Sequence, residues 1–522
     1  MRAVERLPRL SDYVMHYASS TPDTVAAADE TGALTYRELA AEVERVQRLL
    51  LSLGVEPGDR VATLATAGIP YYVIFLATIG IGGVWVGLNP RYRYEEIRYI
   101  VSDSAPKVVF HLWSFEDRSY QDHFARLARA LPAIAHVIPI EPGLPFVGAG
   151  TVSDEELRGA RDAVEPMDAA LIVYTSGSTG SPKGAVLSHF GLVYGAVAMT
   201  QRVSVARLET ICPFPINHVG CVSDLSANTL VTGGTLTFRA RFDPASMLRD
   251  IGAGRANALI AVPTMIQLLM AHPTFPSTDF SKVEFILWGG APMPEREIER
   301  LTGLGARLAV VYGMTEAAAN TTFTDEGAGV ELLFRTVGKP LPAFPTRIAD
   351  GSAVCGVGVP GEIQHHGPYI TLGYFNRPEA TLEAFTDDGW YRSGDVGFWR
   401  EDGNIQLVGR MKEMFKSGGY NVYPREIEIA IESHPDVAMV AVVAIPDPLY
   451  HEVGVAFVVP SPGGAVDEDE LRAFCRERLA NYKVPKQFIV RADLPRLPVG
   501  KVDKVSLRRE LTGASTGSNE PA

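Results

Sequence analysis

Leu39, Val43, Val46 and Leu50 recur at helical spacing and predict a helix from residue 34 to residue 53. The apolar run at 60–64 reads as a strand. No charged residue then occurs from Val61 to Pro90, and residues 70–88 are nearly all apolar. That length alone would permit a membrane span. Gly80, Gly82 and Gly83 break the run, so it reads as a buried helix at 71–79 followed by a buried strand at 84–88. Further short apolar strands are expected at 169–174, 258–262 and 284–288, each next to helical pattern. The alternation predicts an α/β chain whose sheets are covered by helices.

The pattern changes near residue 400. Glu401-Asp402-Gly403-Asn404 is a turn signal, and a short strand is expected at 405–408. A helix from Pro424, strands at 437–445 and 453–459, and a helix at 467–479 complete a compact α+β unit of roughly 100 residues, an ordinary size for a small domain. The chain therefore divides into a large N-terminal domain at 1–409, a connection at 410–412, a small C-terminal domain at 413–511, and a small, polar tail at 512–522 expected to be disordered.

Composition narrows the classes. A chain of 522 residues is too long for one ordinary core. A net charge of −13 argues against a nucleic-acid binder but not against a small phosphate-bearing ligand, which needs only a few local donors. Cys212, Cys221, Cys355 and Cys475 form no CxxC pair and no HExxH occurs, so neither a disulfide framework nor a zinc site is indicated. Reduced thiols and a start without a signal-peptide core suggest the cytoplasm.

One segment carries chemistry. Tyr174-Thr175-Ser176-Gly177-Ser178-Thr179-Gly180-Ser181-Pro182-Lys183-Gly184 follows an expected strand. Its glycines let backbone N–H groups approach an anion, and Ser176, Ser178, Thr179 and Lys183 add donors suited to a polyphosphate. It is not a Walker loop, because Ser181-Pro182 separate Gly180 from Lys183. Alone, such a loop reads equally well as a flexible surface loop.

The loop strongly resembles the phosphate loop of the adenylate-forming superfamily, which includes acyl-CoA synthetases, peptide-synthetase adenylation domains and luciferases. Further motifs match in order: Pro215-Ile216-Asn217-His218, Gly289-Gly290-Ala291-Pro292, Tyr312-Gly313-Met314-Thr315-Glu316, Tyr391-Arg392-Ser393-Gly394-Asp395, Gly409-Arg410-Met411-Lys412, the run from Gly418-Gly419-Tyr420 to Glu428, and Pro498-Val499-Gly500-Lys501. The resemblance covers nearly the whole chain, from about residue 34 to 511. It implies a large α/β domain with a small mobile α+β lid, and an ATP-dependent enzyme that converts a carboxylic acid to an acyl-adenylate and then to an acyl-CoA, releasing pyrophosphate and AMP.

The resemblance also implies roles. Lys501 would bridge the carboxylate and the α-phosphate, Thr315 would donate to that phosphate, and Glu316 would bind Mg2+. Thr175, the loop through Thr179, and Lys183 would hold the phosphates. Tyr312 would lie against the adenine, Gly290, Ala291 and Gly313 would also bind the nucleotide, and Asp395 with Arg410 would hold the ribose. Taken alone, the segment around Tyr312 is a plain turn, and Ser393-Gly394-Asp395 is ordinary turn chemistry. Lys412 occupies the family's hinge position. Gly418, Gly419 and Tyr420 would lie on the face that the lid presents for coenzyme A, and Lys416 would reach the adenylate or acyl group.

His218 matches the histidine bordering the acyl pocket, although a lone histidine in such a setting is commonly structural. Asn217 departs from the aromatic or apolar residue usual there. His365-His366 matches no family role and reads as a strand-end pair. Gly220, Cys221, Leu225, Trp288, Gly289, Gly290, Ala317 and Ala318 should wall the pocket. Many of these residues are small, none is charged and Gly220 has no side chain, which implies room for an apolar, medium-to-large acyl body of the kind met in fatty acid metabolism. A carrier protein in place of coenzyme A is the alternative acceptor. A monomer or homodimer without nucleic acid or membrane span is expected.

Overall fold

The computed structural model describes residues 4–140, 152–175, 182–203, 205–461, 463–496 and 502–512. Its largest sheet has seven strands in the order Gly373–Tyr374, Lys183–Ser188, Ala169–Thr175, Val84–Leu88, Arg60–Leu64, Val108–Leu112 and His136–Ile140. From Ala169–Thr175 to His136–Ile140 the strands run parallel. Lys183–Ser188 turns back antiparallel to Ala169–Thr175.

The helix that the pattern placed at 34–53 is Tyr36–Ser52. It begins later because residues Gly32–Thr35 form a strand against Val25–Asp29, and Thr35 with Glu38 then forms a capping box. The uncharged run is the helix Ile69–Gly80 followed by the strand Val84–Leu88. A methyl group on Gly80 would lie 2.3 Å from Gln47 Nε2, so glycine lets this helix press against Tyr36–Ser52. Among the described residues no helix is long and apolar enough to cross a membrane.

A second sheet, of five strands, carries Ala258–Ala261, Phe285–Gly289 and Arg307–Met314 in parallel, extended by Ala319–Phe323 and Lys339–Pro340. A third sheet contains Gly361–His365, Tyr391–Trp399 and Ile405–Arg410. His365 ends its strand buried, accompanied by Thr346 Oγ1 at 3.1 Å from Nδ1, and burial lowers its pKa to about 3. It is a neutral strand-end residue.

At Arg410 the chain leaves the third sheet, makes the short turn Met411–Glu413, and enters a separate C-terminal sheet at Phe415–Ser417. That sheet pairs Val437–Asp447 with His451–Pro460 and is backed by the helices Pro424–Glu432 and Glu468–Arg478. The chain is thus a mixed α/β fold with a large N-terminal and a small C-terminal part. The final helix, Lys504–Thr512, ends one residue inside the stretch read as a tail; the rest of that stretch lies outside the described residues.

Candidate active site

Parallel strands collect side chains at their carboxyl ends. Gly289 and Val311 are register partners on neighbouring parallel strands, so Gly290-Ala291 and Tyr312-Gly313 leave the second sheet side by side. A methyl on Gly289 would meet Val311 Cγ2 and O at 2.8 Å, and Gly290 has φ +79°, which explains both glycines.

Tyr312 donates its hydroxyl to Asp395 Oδ2 at 2.7 Å. Asp395 faces Arg410 across two antiparallel strands, and Arg410 Nε lies 3.0 Å from Oδ1. Burial, reinforced by Asp395, holds the Tyr312 phenol well above its ordinary pKa, so it stays a donor. Asp395 raises the Arg410 pKa in turn. A carboxylate offers about four acceptor directions, so each oxygen of Asp395 keeps a lone pair for a further donor.

A second constellation surrounds Glu316. It lies in the tight turn Thr315–Ala317, followed by Ala318 at φ +55°. Tyr374 donates to Glu316 Oε1 at 2.8 Å, and the Tyr391 hydroxyl lies 3.4 Å from that of Tyr374. Lys183 Nζ sits 5.2 Å from the centre of the Tyr374 ring. Tyr374 is held there because it pairs with Ala185, two residues beyond Lys183. Tyr374 was missed in the sequence; its partners come from segments 58 and about 190 residues away, with no spacing rule joining them. Thr175 Oγ1 donates to the Lys183 carbonyl at 3.4 Å. Ser176, Gly177, Ser178 and Thr179 lie outside the described residues, as does Lys501.

His218 precedes the wide π-type helix Gly220–Ala227. The Gly220 N–H donates to His218 Nδ1 at 3.0 Å, which leaves the proton of the neutral ring on Nε2. Gly220 does not open the space expected of it. A methyl there would lie 3.0 Å from His218 Nδ1 and 3.5 Å from the Phe214 ring, which already occupies that side. Asn217 donates to the Tyr92 hydroxyl at 2.8 Å, fastening this segment to the loop after Val84–Leu88.

Cys221, Leu225, Ala317 and Ala318 share one buried cluster with Phe285 and Leu287. Trp288 does not join them. Side chains alternate along its strand, and Trp288 packs with Ile286, Met247 and Met293 on the opposite face. Cys221 lies beside Cys212 with 3.6 Å between the sulfurs, both thiols free.

The remaining predicted residues belong to the C-terminal part. Gly418 and Gly419 form a left-handed turn at φ +58° and +88°, where Gly418 N–H bonds the Tyr450 carbonyl at 2.9 Å. Nothing lies within 4 Å of a methyl placed on Gly419. Lys416 is exposed beside them, its N–H bonded to Glu452. Among the described residues no hydrogen bond or ion pair joins Lys416, Gly418 or Gly419 to Glu316 or Asp395. Lys412 stands in the turn Met411–Glu413. Just beyond it, Lys504 pairs with Glu413 at 2.9 Å and with buried Glu428 at 2.8 Å, tying the turn to the C-terminal helix layer. The attraction of Lys504 and Arg425 outweighs burial and holds the Glu428 pKa below its ordinary value.

Residues 14–375 match the model for the AMP-binding enzyme family, and residues 426–501 match that for the AMP-binding enzyme C-terminal domain. The chain belongs to the AMP-binding enzymes. It is 36% identical over 507 residues to a feruloyl-CoA synthase of Amycolatopsis sp, covering 96% of this chain and 99% of that one. It is 34% identical to the 3-[(3aS,4S,7aS)-7a-methyl-1,5-dioxo-octahydro-1H-inden-4-yl]propanoyl:CoA ligase of Mycobacterium tuberculosis, covering 93% and 96%. Its fold superposes on ATP-bound MatB from Rhodopseudomonas palustris with a TM-score of 0.85 at 30% identity, covering 98% and 100%. These relatives place it among the ATP-dependent, AMP-forming carboxylate–CoA ligases.

Proposed function

We propose that the two constellations are the two ends of one ATP site, with the acid entering between His218 and the turn Thr315–Ala317. The observation that carries this reading is their convergence on one motif: Tyr312 bonds Asp395, and Glu316, four residues on, bonds Tyr374 beside Lys183. The free lone pairs of Asp395 suit two neighbouring ribose hydroxyls, and Tyr312 offers a flat ring to adenine. The second end suits phosphates: Lys183 supplies charge, and the Ser176–Thr179 hydroxyls and Thr315 supply donors. Glu316 would hold Mg2+, for which one carboxylate with phosphate oxygens and water suffices; the bound ion would neutralise phosphate charge.

Adenylation brings a carboxylate against the α-phosphate. Two unit charges about 4 Å apart repel by roughly 4 kcal/mol at an effective dielectric near 20. Lys501 is assigned to that junction. His218, which carries its ring proton on Nε2, orients the acid. After adenylation the C-terminal part turns about Lys412, withdraws Lys501 and brings Gly418, Gly419 and Lys416 towards the adenylate for coenzyme A. The acid itself is medium-to-large, and the cytoplasm is its setting, in keeping with four free cysteines.

Pyrophosphate release measured over a panel of aliphatic, aromatic and polycyclic acids, with and without coenzyme A, tests the reading. The expected result is a single stoichiometric burst without coenzyme A and continuous turnover to AMP and acyl-CoA with it. Continuous turnover unaffected by coenzyme A, or ADP as product, would overturn it.

A further inference from the structure

From residue 220 to 234 every position is buried except Asp224. Asp224 is thus the one partly exposed residue of the wide helix Gly220–Ala227. The helix is fastened here to the segment just after Glu316. Ser223 Oγ donates to the Ala318 carbonyl, and Asn320 Nδ2 donates to Asp224 Oδ1 at 3.0 Å. Cys221 and Leu225, flanking Asp224 on the same helix, pack in one cluster with Ala317 and Ala318. The carboxylate of Asp224 therefore stands on the helix that packs against the turn Thr315–Ala317, past which the acid was placed above. Among the described residues no cation is paired with it, and burial raises its pKa to about 7.

We infer that Asp224, oriented by Asn320, determines specificity by accepting a hydrogen bond from a hydroxyl group on the body of the acid, which makes the preferred substrate a hydroxylated carboxylic acid. This rests on the ligase reading above and replaces the wholly apolar acyl body that the motif residues alone implied. An apolar body set against this side chain would leave Oδ2 without a donor, which is costly for a carboxylate. A second carboxylate on the acid would be repelled by it. An ammonium group would have to give up its own hydration at the same place. A hydroxyl is neutral, donates to the ionised carboxylate, and accepts from the protonated one, so it satisfies Asp224 in either state.

Matched acid pairs that differ by one hydroxyl, on aromatic, alicyclic and aliphatic bodies, test the assignment by pyrophosphate release. On the best-used body the wild type should favour the hydroxylated member by about tenfold or more in kcat/KM, since a site built around a hydrogen bond discriminates strongly against its loss. Asp224→Leu should abolish or invert that ratio, and Asp224→Asn, whose amide oxygen still accepts, should retain part of it. Tm and ATP binding, measured on both variants, separate the ratio from folding; if Asp224→Leu does not fold, a ratio unchanged in Asp224→Asn and in Asn320→Ala counts against the proposal. Equal use of both members on every body, or a preference that survives Asp224→Leu, overturns it and leaves the ligase reading standing. Absence of pyrophosphate release with every acid overturns the ligase reading and this inference with it.

Discussion

Glu316 keeps its carboxylate in place through one phenol, and this makes Tyr374 a positioning residue. Tyr374→Phe preserves the ring beneath Lys183 but removes the 2.8 Å bond to Oε1. A hydrogen bond to a charged group contributes about 1.5–3 kcal/mol, so the variant should lose roughly 10–100-fold in kcat/KM for ATP. The Mg2+ concentration for half-maximal rate should rise with it; a rate loss at unchanged Mg2+ dependence would remove Tyr374 from this role. Gly220 is a second case in which contacts replace a size argument. With His218 Nδ1 3.0 Å from where its methyl would lie, Gly220→Ala should shift the imidazole and lower kcat/KM for small and large acids alike. The expected loss is about tenfold, for overpacking of the 1–3 kcal/mol kind. A loss confined to bulky acids, read from kcat/KM across a homologous series, would restore Gly220 as a gate on size.

Elements were legible wherever one local rule governed them. The strand Arg60–Leu64 and the strand Val84–Leu88 have the bounds that the apolar runs suggested, because both are buried in the middle of a parallel sheet. Residues 34–35 failed as helix because pairing with Val25–Asp29, which no local pattern announces, claimed them first. Trp288 failed as pocket wall for a related reason: its motif position fixes its strand, but only the alternation of that strand decides which core receives the indole. Tyr374 and the Asp224–Asn320 pair were illegible because each joins segments 58 to 96 residues apart. Conversely, Tyr312, Asp395 and Arg410 were legible as motif residues and do meet in space. The motif at the C-terminal end can be tested at the same scale. Lys501→Ala should slow adenylation by about 10²–10³-fold, the usual effect of losing one oriented electrostatic donor. It should spare thioester formation from supplied acyl-adenylate, and equal loss in both half-reactions would refute the assignment.

For the whole molecule, the question is how one chain runs two half-reactions that need different groups at one place. Arg410 is bonded to Asp395 in the large part, whereas Glu413, three residues later, is bound by Lys504 in the small part. The passage between two independently anchored points is therefore Met411-Lys412. Glycines flank this region, yet Lys412 itself is not one. Rigid-body rotation about so short a link leaves both sheets intact. Lys412→Pro fixes φ near −65° and removes one N–H, while the Met414 N–H bond to the Arg410 carbonyl can persist. If the turn is the pivot, the variant should give a normal pyrophosphate burst in a single turnover and then stall. Acyl-CoA formation, followed by rapid quench from the enzyme-bound adenylate, should fall by at least 10²-fold, which corresponds to about 2.7 kcal/mol added to the barrier of the second step. A variant that performs both half-reactions at wild-type rates would place the pivot elsewhere. One that loses both would mean that the turn also holds Arg410 on Asp395, and ATP affinity measured directly would then fall with them.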